Sequence, residues 1–143
     1  MAGKGYCSLK LDAAQAKEIH KIMKVAGIEC LPPSELHCTL MYDESDPDIK
    51  ILKNTQVYNA KVTGVKMLGD AIAITMDSPG ITKRHKELKN AGYNHSFPSL
   101  LIHMSINYNP KDTDKDLLEL LIKLKGIPKV LKFGNEKFNA LKK

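Results

Sequence analysis

Apolar and polar residues alternate in several stretches of this 143-residue chain, which is the pattern of half-buried β-strands. Residues 6–11 follow this pattern and predict a first strand. Residues 57–68 and 71–76 predict the two strands of a hairpin, because Gly69-Asp70 between them is a typical tight turn. A final short hairpin is predicted near the end of the chain, where Gly134-Asn135 interrupts another apolar stretch.

Three other stretches have apolar residues at the three- and four-residue spacing of amphipathic helices. The first begins after Asp12, a good N-cap residue, and ends at Gly27. The second begins at Ser78-Pro79 and has a strongly basic surface, on which His85 is expected to be solvated. The third is rich in leucine and ends at Gly126. Strands and helices together predict one domain, residues 1–143, of the α+β class.

Two predicted strands of similar sequence each carry a histidine followed, two positions on, by a hydroxyl side chain. They are Leu36-His37-Cys38-Thr39-Leu40 and Ile102-His103-Met104-Ser105-Ile106. Side chains alternate between the two faces of a strand, so the histidine and the hydroxyl of each copy share one face. The same alternation predicts that Tyr42 and Tyr108 lie on the opposite, apolar faces. If the two strands are neighbours, two imidazoles and two hydroxyls meet over an apolar floor.

Two imidazoles that face each other are suited to acid–base chemistry on a phosphodiester. The neutral one accepts a proton from the attacking oxygen, and the protonated one donates a proton to the leaving oxygen; His37 and His103 are the candidates. Thr39 and Ser105 would donate hydrogen bonds to the non-bridging phosphate oxygens, where charge develops. This chemistry needs no metal ion and no other cofactor. A lone histidine beside an apolar run is usually structural, but two copies with the same polar face favour a site.

The composition bears on ligand and compartment. Lys and Arg number 22 against 16 Asp and Glu, and the net charge of +6 suits a polyanionic ligand. The three cysteines cannot all pair, which favours a reducing, cytoplasmic compartment. There is no secretory segment and no apolar stretch of membrane-spanning length, so we expect a soluble protein that is not exported.

A zinc site is the main competing hypothesis for the same residues. Its candidate ligands are Cys30, His37, Cys38, His95 and His103. Adjacent residues of a strand point to opposite faces, however, and no standard zinc spacing is present. The acidic stretch 43–48 lacks the Asp and Gly pattern of a calcium loop. We therefore expect no metal site.

The two histidine–hydroxyl motifs resemble the H-x-[ST]-hydrophobic signatures of the two-histidine (2H) phosphoesterase superfamily. Within it, the segments Leu-His-Cys-Thr-Leu-Met-Tyr and Ile-His-Met-Ser-Ile are most similar to phage-encoded anti-CBASS cyclic oligonucleotide nucleases. The resemblance covers most of the chain. It implies a two-lobed, pseudo-symmetric fold, with antiparallel sheets lining a central cleft and helices packed outside. His37, Thr39, His103 and Ser105 match the four catalytic residues of the superfamily one for one.

The resemblance also implies a function. The protein would be a metal-independent phosphodiesterase that cleaves 3′-5′ bonds of cyclic di- and trinucleotide messengers, such as cyclic GMP-AMP. It would thereby evade CBASS defence in the cytoplasm of an infected bacterial host cell. The implied partner is the cyclic oligonucleotide, with no double-stranded DNA and no membrane, and a monomer is favoured.

Four further side chains are candidates for binding the substrate. Tyr6, on the polar face of the first strand, would stack on a base. In a lid formed by residues 136–138, Glu136 would accept a hydrogen bond from a base edge and Phe138 would stack. Lys10 would pair with a phosphate. Each of the four also has an ordinary alternative, as a structural or solvated residue.

Two other functions are open at the level of the sequence. One is an enzyme that acts on RNA ends, as an RNA 2′,3′-cyclic phosphodiesterase or a 2′-5′ RNA ligase does. The other, from a different class, is a non-catalytic protein that sequesters nucleotides or binds RNA.

Overall fold

The computed structural model describes residues 2–3, 5–45, 47–97 and 99–139 of the chain. The described part contains short and long strands together with three α-helices. The strands are β1 (Ala2–Gly3), β2 (Tyr6–Leu11), β3 (His37–Tyr42), β4 (Ile49–Lys50), β5 (Tyr58–Leu68), β6 (Ala71–Asp77), β7 (His103–Asn107) and β8 (Val130–Asn139). The helices are α1 (Ala13–Ala26), α2 (Pro79–Asn90) and α3 (Asp114–Lys123), and a 3-10 turn (Pro33–Glu35) precedes β3.

Six of these strands form one antiparallel sheet in the order β2-β3-β7-β6-β5-β8, and the sheet closes on itself because β8 also pairs with β2. The predicted α+β class is confirmed. The two strands that carry the histidines, β3 and β7, are neighbours in this sheet. Their register contains the pair Cys38↔Met104 alone among the described residues, so the two strands separate on either side of it.

The predicted caps set both ends of α1 and the start of α2, whereas α3 ends at Lys123, before the predicted stop at Gly126. Asp12 accepts a hydrogen bond from the backbone N–H of Gln15 at 3.2 Å, and Gly27 ends α1 with a φ of +78°. Ser78 caps α2, with Pro79 at its first position. Within the described ranges, no helix combines the length and the hydrophobicity that a membrane crossing requires.

The hairpin predicted around Gly69-Asp70 is confirmed, and β6 is a central strand. It pairs with β5 on one side and with β7 on the other. Ile72, Ala73 and Ile74 are fully buried, as their uninterrupted apolar run predicts. Because this buried strand pairs with β7 within the sheet, it helps to position the second histidine.

The predicted final hairpin at Gly134-Asn135 is wrong, because β8 is one continuous strand that pairs with both β2 and β5. Ser8 pairs with Lys137, and Lys10 pairs with Gly134. A separation of two residues in β2 thus corresponds to three residues in β8, so Gly134-Asn135 lies at a bulge. Asn135 accordingly has a φ of +51°. Because β8 is hydrogen-bonded to a strand on each side, this pairing outweighs the local preference of Gly134-Asn135 for a turn.

Candidate active site

The side chains of the two motifs meet at one cleft. His37, Thr39, His103 and Ser105 all line this cleft, which has a volume of about 480 Å³. Each of the four is partly exposed, whereas the residues that alternate with them are buried. The arrangement therefore presents two imidazoles and two hydroxyls to the same space.

The buried pair Cys38↔Met104 is the centre of this arrangement. Each of the two residues lies between the histidine and the hydroxyl of its own motif, and each is fully buried. Because the strands are antiparallel, the pair sets each histidine level with the hydroxyl residue of the other strand. On each side of the Cys38–Met104 pair, an imidazole of one strand therefore lies opposite a hydroxyl of the other strand.

Both imidazoles are held in the same way. His37 Nδ1 lies 2.8 Å from the carbonyl oxygen of Glu35, and His103 Nδ1 lies 2.8 Å from that of Leu101. A carbonyl oxygen only accepts hydrogen bonds, so Nδ1 carries the hydrogen in both rings. Nε2 is then the nitrogen that takes up or releases a proton. The two histidines are equivalent in this respect.

A one-residue bulge follows the hydroxyl residue of β3. Thr39 and Met41 lie opposite consecutive residues of β2, so Leu40 is the extra residue. Leu40 and Met41 are both fully buried, and Tyr42 consequently lines the cleft. The prediction that Tyr42 lies on the apolar face is therefore wrong, because the bulge shifts the alternation by one residue.

The same bulge occurs in β7. Ser105 and Asn107 lie opposite consecutive residues of β6, so Ile106 is the extra residue. Tyr108 also lines the cleft, at the same distance in sequence from its histidine as Tyr42. The prediction for Tyr108 is wrong for the same reason. Sequence alternation alone gives no sign of either bulge, although the tyrosine at the same spacing in both motifs was visible.

Tyr6 lines the cleft, where its hydroxyl lies 3.1 Å from Thr39 Oγ1. Its ring meets the rings of His37 and Tyr42 edge-on, with centroids 6.4 and 6.3 Å away. Burial raises the pKa of the Tyr6 hydroxyl, so this group is neutral at ordinary pH. Tyr6 therefore lies against the first motif and shares a hydrogen bond with its hydroxyl.

An aromatic group extends the cleft beyond Tyr42. The Tyr42 and Phe97 rings are 5.6 Å apart, and Phe97 lies 5.6 Å from the His95 ring. His95 Nδ1 accepts the backbone N–H of Tyr42 at 3.1 Å. Burial and the neighbouring His85 lower the pKa of His95 to about 4, so this ring is neutral near pH 7. The sequence marked His95 only as a possible metal ligand, and it did not suggest Phe97.

His85 is not solvated, which corrects the prediction made for α2. It is 8% exposed, and its Nδ1 donates to the carbonyl oxygen of Leu40, the bulge residue, at 2.6 Å. Burial lowers the pKa of His85. The rings of His85 and His95 are 4.7 Å apart. Both bond to the backbone of β3 at residues that follow Cys38, the residue that pairs with β7.

Glu136 does not reach the cleft. Its carboxylate is fully buried and accepts hydrogen bonds from Arg84 Nε at 2.9 Å, from Arg84 Nη2 at 2.8 Å and from the backbone N–H of Asn54 at 3.0 Å. Arg84 is itself only 8% exposed, although it belongs to the helix predicted to have a strongly basic surface. Glu136 has no remaining role at a base edge in this arrangement, because its partners lie in the core.

Phe138 and Lys10 are also placed elsewhere. Phe138 belongs to β8, packs against the core and stacks with Tyr93 at 6.4 Å, so residues 136–138 form a strand and not a lid. Lys10 is the cross-strand partner of His37, but it is exposed and lines a different depression, next to Asn135. Of the four predicted binding residues, the structure brings Tyr6 alone to the cleft.

No group of three or more His, Cys, Asp or Glu side chains in the described ranges is placed to hold a metal ion. Cys38 lies below the cleft, and burial raises the pKa of its thiol to about 12. In the acidic stretch, Asp43 is buried and accepts hydrogen bonds from Ser45 and from the backbone of Asn94.

Comparison with known proteins gives one result that covers nearly the whole chain. Residues 4–143 match the family described as anti-CBASS protein Acb1, whereas no curated protein matches the chain. Membership in this family implies an anti-CBASS function, and it suggests an activity that degrades a cyclic nucleotide. Because the match spans far more than half of its length, the chain belongs to the anti-CBASS protein Acb1 family.

Proposed function

We propose that this protein is a phosphodiesterase that cleaves 3′-5′ bonds of cyclic di- and trinucleotide messengers, such as cyclic GMP-AMP, without a metal ion. The observation that carries the proposal is that two imidazoles, each bonded through Nδ1 to a carbonyl oxygen, and two hydroxyls line one cleft. The family supports a cyclic nucleotide as substrate, and the net charge of +6 favours a polyanion. Its site of action would be the cytoplasm of an infected bacterium, where loss of the messenger stops the CBASS response.

In the proposed reaction the ribose 2′-oxygen attacks the adjacent 3′-phosphorus while the bond from phosphorus to the leaving 5′-oxygen breaks. One of His37 and His103 accepts the 2′-OH proton at Nε2, and the other donates a proton to the 5′-oxygen. The product is a 2′,3′-cyclic phosphate, which water then opens. General acid–base catalysis contributes roughly 10²–10⁴ in rate for each group, or about 3–5 kcal/mol.

Thr39 and Ser105 have the second role in the proposal. Their hydroxyls donate to the non-bridging oxygens, which gain negative charge as the phosphorus becomes five-coordinate. The position of each hydroxyl level with the opposite histidine supports this role, since a phosphate bound between the strands would face all four groups. Tyr6 orients the Thr39 hydroxyl through its own hydroxyl.

The two-lobed, pseudo-symmetric organisation of a single domain belongs to the same proposal. It is supported by the local equivalence of the strand pairs β2–β3 and β6–β7 around Cys38↔Met104. Each pair carries a histidine, a hydroxyl, a bulge and a tyrosine at the same spacing.

A substrate panel in the presence of EDTA tests the proposal. Cyclic GMP-AMP, linear RNA, RNA with 2′,3′-cyclic phosphate ends and a cyclic dinucleotide that lacks 2′-hydroxyls are each incubated with the protein. We expect rapid loss of cyclic GMP-AMP and resistance of the deoxy ring, which has no internal nucleophile. Reaction at RNA ends alone would instead identify an RNA 2′,3′-cyclic phosphodiesterase or a 2′-5′ RNA ligase-like enzyme.

The same panel distinguishes catalysis from sequestration. After incubation the protein is denatured, and the nucleotide is recovered and quantified. A phosphodiesterase returns linear products. Intact cyclic GMP-AMP in full yield would show a non-catalytic binding protein and would contradict the proposal.

A further inference from the structure

We propose that the two tyrosines that follow the bulges, Tyr42 and Tyr108, are nucleobase subsites at opposite ends of the cleft, and that Phe97 completes the first of them. The inference rests on the proposed function, because it states where the bases on either side of the cleaved phosphate lie. It replaces the predicted stacking role of Phe138, which packs against the core and stacks with Tyr93.

The placement of the two tyrosines follows from the strand directions. Tyr42 comes four residues after Cys38, and Tyr108 comes four residues after Met104. These central residues pair with each other in antiparallel register, so the two chains leave the centre in opposite directions. The bulge in each strand turns the tyrosine toward the cleft. One tyrosine therefore lies on each side of the histidine pair.

The neighbours of each tyrosine agree with this placement. Residues 99–101, which lead into the start of β7, line the cleft on the Tyr42 side, together with Phe97. On the Tyr108 side, Leu68 lines the cleft at the end of the β5–β6 hairpin. Leu68 pairs with Ala71, and the next residue of β6 pairs with Asn107, which directly precedes Tyr108. The cleft therefore has two distinct ends, with the catalytic groups between them.

The Tyr42 end is built as a rigid platform. The backbone N–H of Tyr42 donates to His95 Nδ1 at 3.1 Å, and its carbonyl oxygen accepts from the backbone N–H of Ser96 at 2.7 Å. These bonds hold the segment that carries Phe97 against Tyr42, with the two rings inclined at 39°. Phe97 is nevertheless 57% exposed. A positioned but uncovered aromatic ring is suited to stacking on a planar ligand, because little freedom is lost on binding.

The Tyr108 end offers one ring, which is 53% exposed and lies just after β7. Its neighbour in the cleft lining is the aliphatic side chain of Leu68. We therefore expect stacking at this end to contribute less to binding than stacking at the Tyr42 end. Because every base has a flat face, both subsites accept purines and pyrimidines.

The test compares Phe97→Leu and Tyr108→Leu with the wild type in steady-state cleavage of cyclic GMP-AMP. Stacking on an aromatic ring contributes about tenfold or more in affinity per base, so we expect KM to rise about tenfold for Phe97→Leu and less for Tyr108→Leu. We expect kcat to stay within about twofold, since neither ring is one of the four groups that act on the phosphate in the proposed reaction. Val25→Ala is the matched control, because Val25 is 82% exposed on α1, outside the cleft.

Both leucine variants should melt as the wild type does, because more than half of each side chain is exposed. If the wild type cleaves cyclic GMP-AMP and both leucine variants have the wild-type KM, the subsites are overturned, but the proposed function is not. If the wild type does not cleave cyclic GMP-AMP, the proposed function fails. Equilibrium binding of the same nucleotide then tests the subsites independently. Weaker binding by both leucine variants than by Val25→Ala would support the subsites, whereas equal binding or none would overturn them.

Discussion

Two groups of polar side chains in this protein differ in how they are held. In the first, the cleft set, each imidazole bonds to a carbonyl only two residues before it in its own chain segment, and this contact leaves Nε2 for chemistry. In the second, the supporting set, each side chain bonds to the backbone of a segment at least 32 residues away. The cleft set is His37, Thr39, His103 and Ser105; the supporting set is Arg84, His85, His95 and Glu136.

The supporting set contributes to the stability of the fold, whereas the cleft set is proposed to carry out the reaction. Glu136 and Arg84 are buried and bonded to each other, so their polar atoms hold segments of the chain together. A partly exposed histidine whose Nε2 faces the cleft adds little to stability, but in the proposed reaction it transfers a proton and therefore controls the rate. Substitutions in the two sets should therefore have opposite effects on activity and on unfolding.

The largest expected effect is on the rate, in the cleft set. His37→Ala and His103→Ala should each lower the rate of cyclic GMP-AMP cleavage by at least ~10³, because each removes a proton-transfer group. The melting temperature should stay close to that of the wild type. The control is His20→Ala, since His20 Nδ1 also lies 3.1 Å from a carbonyl oxygen, that of Leu31, but on α1 away from the cleft. Either variant with wild-type activity and a wild-type melting curve would contradict the assignment.

The next effect is on stability, in the supporting set. Glu136→Gln should lower the free energy of unfolding by about 3–5 kcal/mol, because the buried Arg84 guanidinium loses its charged partner. Glu87→Gln is the matched control, since Glu87 bonds to the same arginine but its side chain is 46% exposed, and we expect about 1 kcal/mol or less. Urea unfolding with an unchanged m-value measures both. Equal losses in the two variants would show that burial of the pair is not the cause.

The smallest effect concerns pH and His95. Its folded pKa is about 4, lowered by burial, whereas an unfolded histidine titrates near 6.5. Between these values the unfolded chain binds a proton that the folded chain does not, so this residue makes stability fall as the pH falls from about 6.5 to about 4. Above pH 6.5 its contribution is constant.

His95→Asn tests this dependence, because the asparagine Oδ1 still offers an acceptor to the Tyr42 N–H but does not titrate. The wild type should lose more melting temperature than the variant when the pH is lowered from 7 to about 4.5. Parallel losses would mean that His95 does not remain neutral in the folded protein.

Local features of the sequence predicted the parts of the fold that depend on local contacts. The caps at Asp12 and Ser78 and the turn at Gly69-Asp70 are formed by residues within a few positions of each other. Alternation correctly placed the histidine and hydroxyl of each motif on one face, since no bulge intervenes between them. The two-residue spacing within each motif was therefore enough to propose the four central residues of the site.

Beyond those four residues, the site depends on long-range contacts. The turn-like pair Gly134-Asn135 became a bulge because β8 is paired on both sides, and Glu136 was drawn away from the cleft because Arg84, 52 residues before it, reaches it in the core.

The sequence by itself determined that the histidine and the hydroxyl of each motif share a strand face, since that follows from the two-residue period of an extended chain. Only the tertiary structure decided that β3 and β7 are neighbours, and that a bulge turns Tyr42 and Tyr108 into the cleft. The physical reason is that strand register is set by partners distant in sequence, and one extra residue reverses the face of every side chain after it.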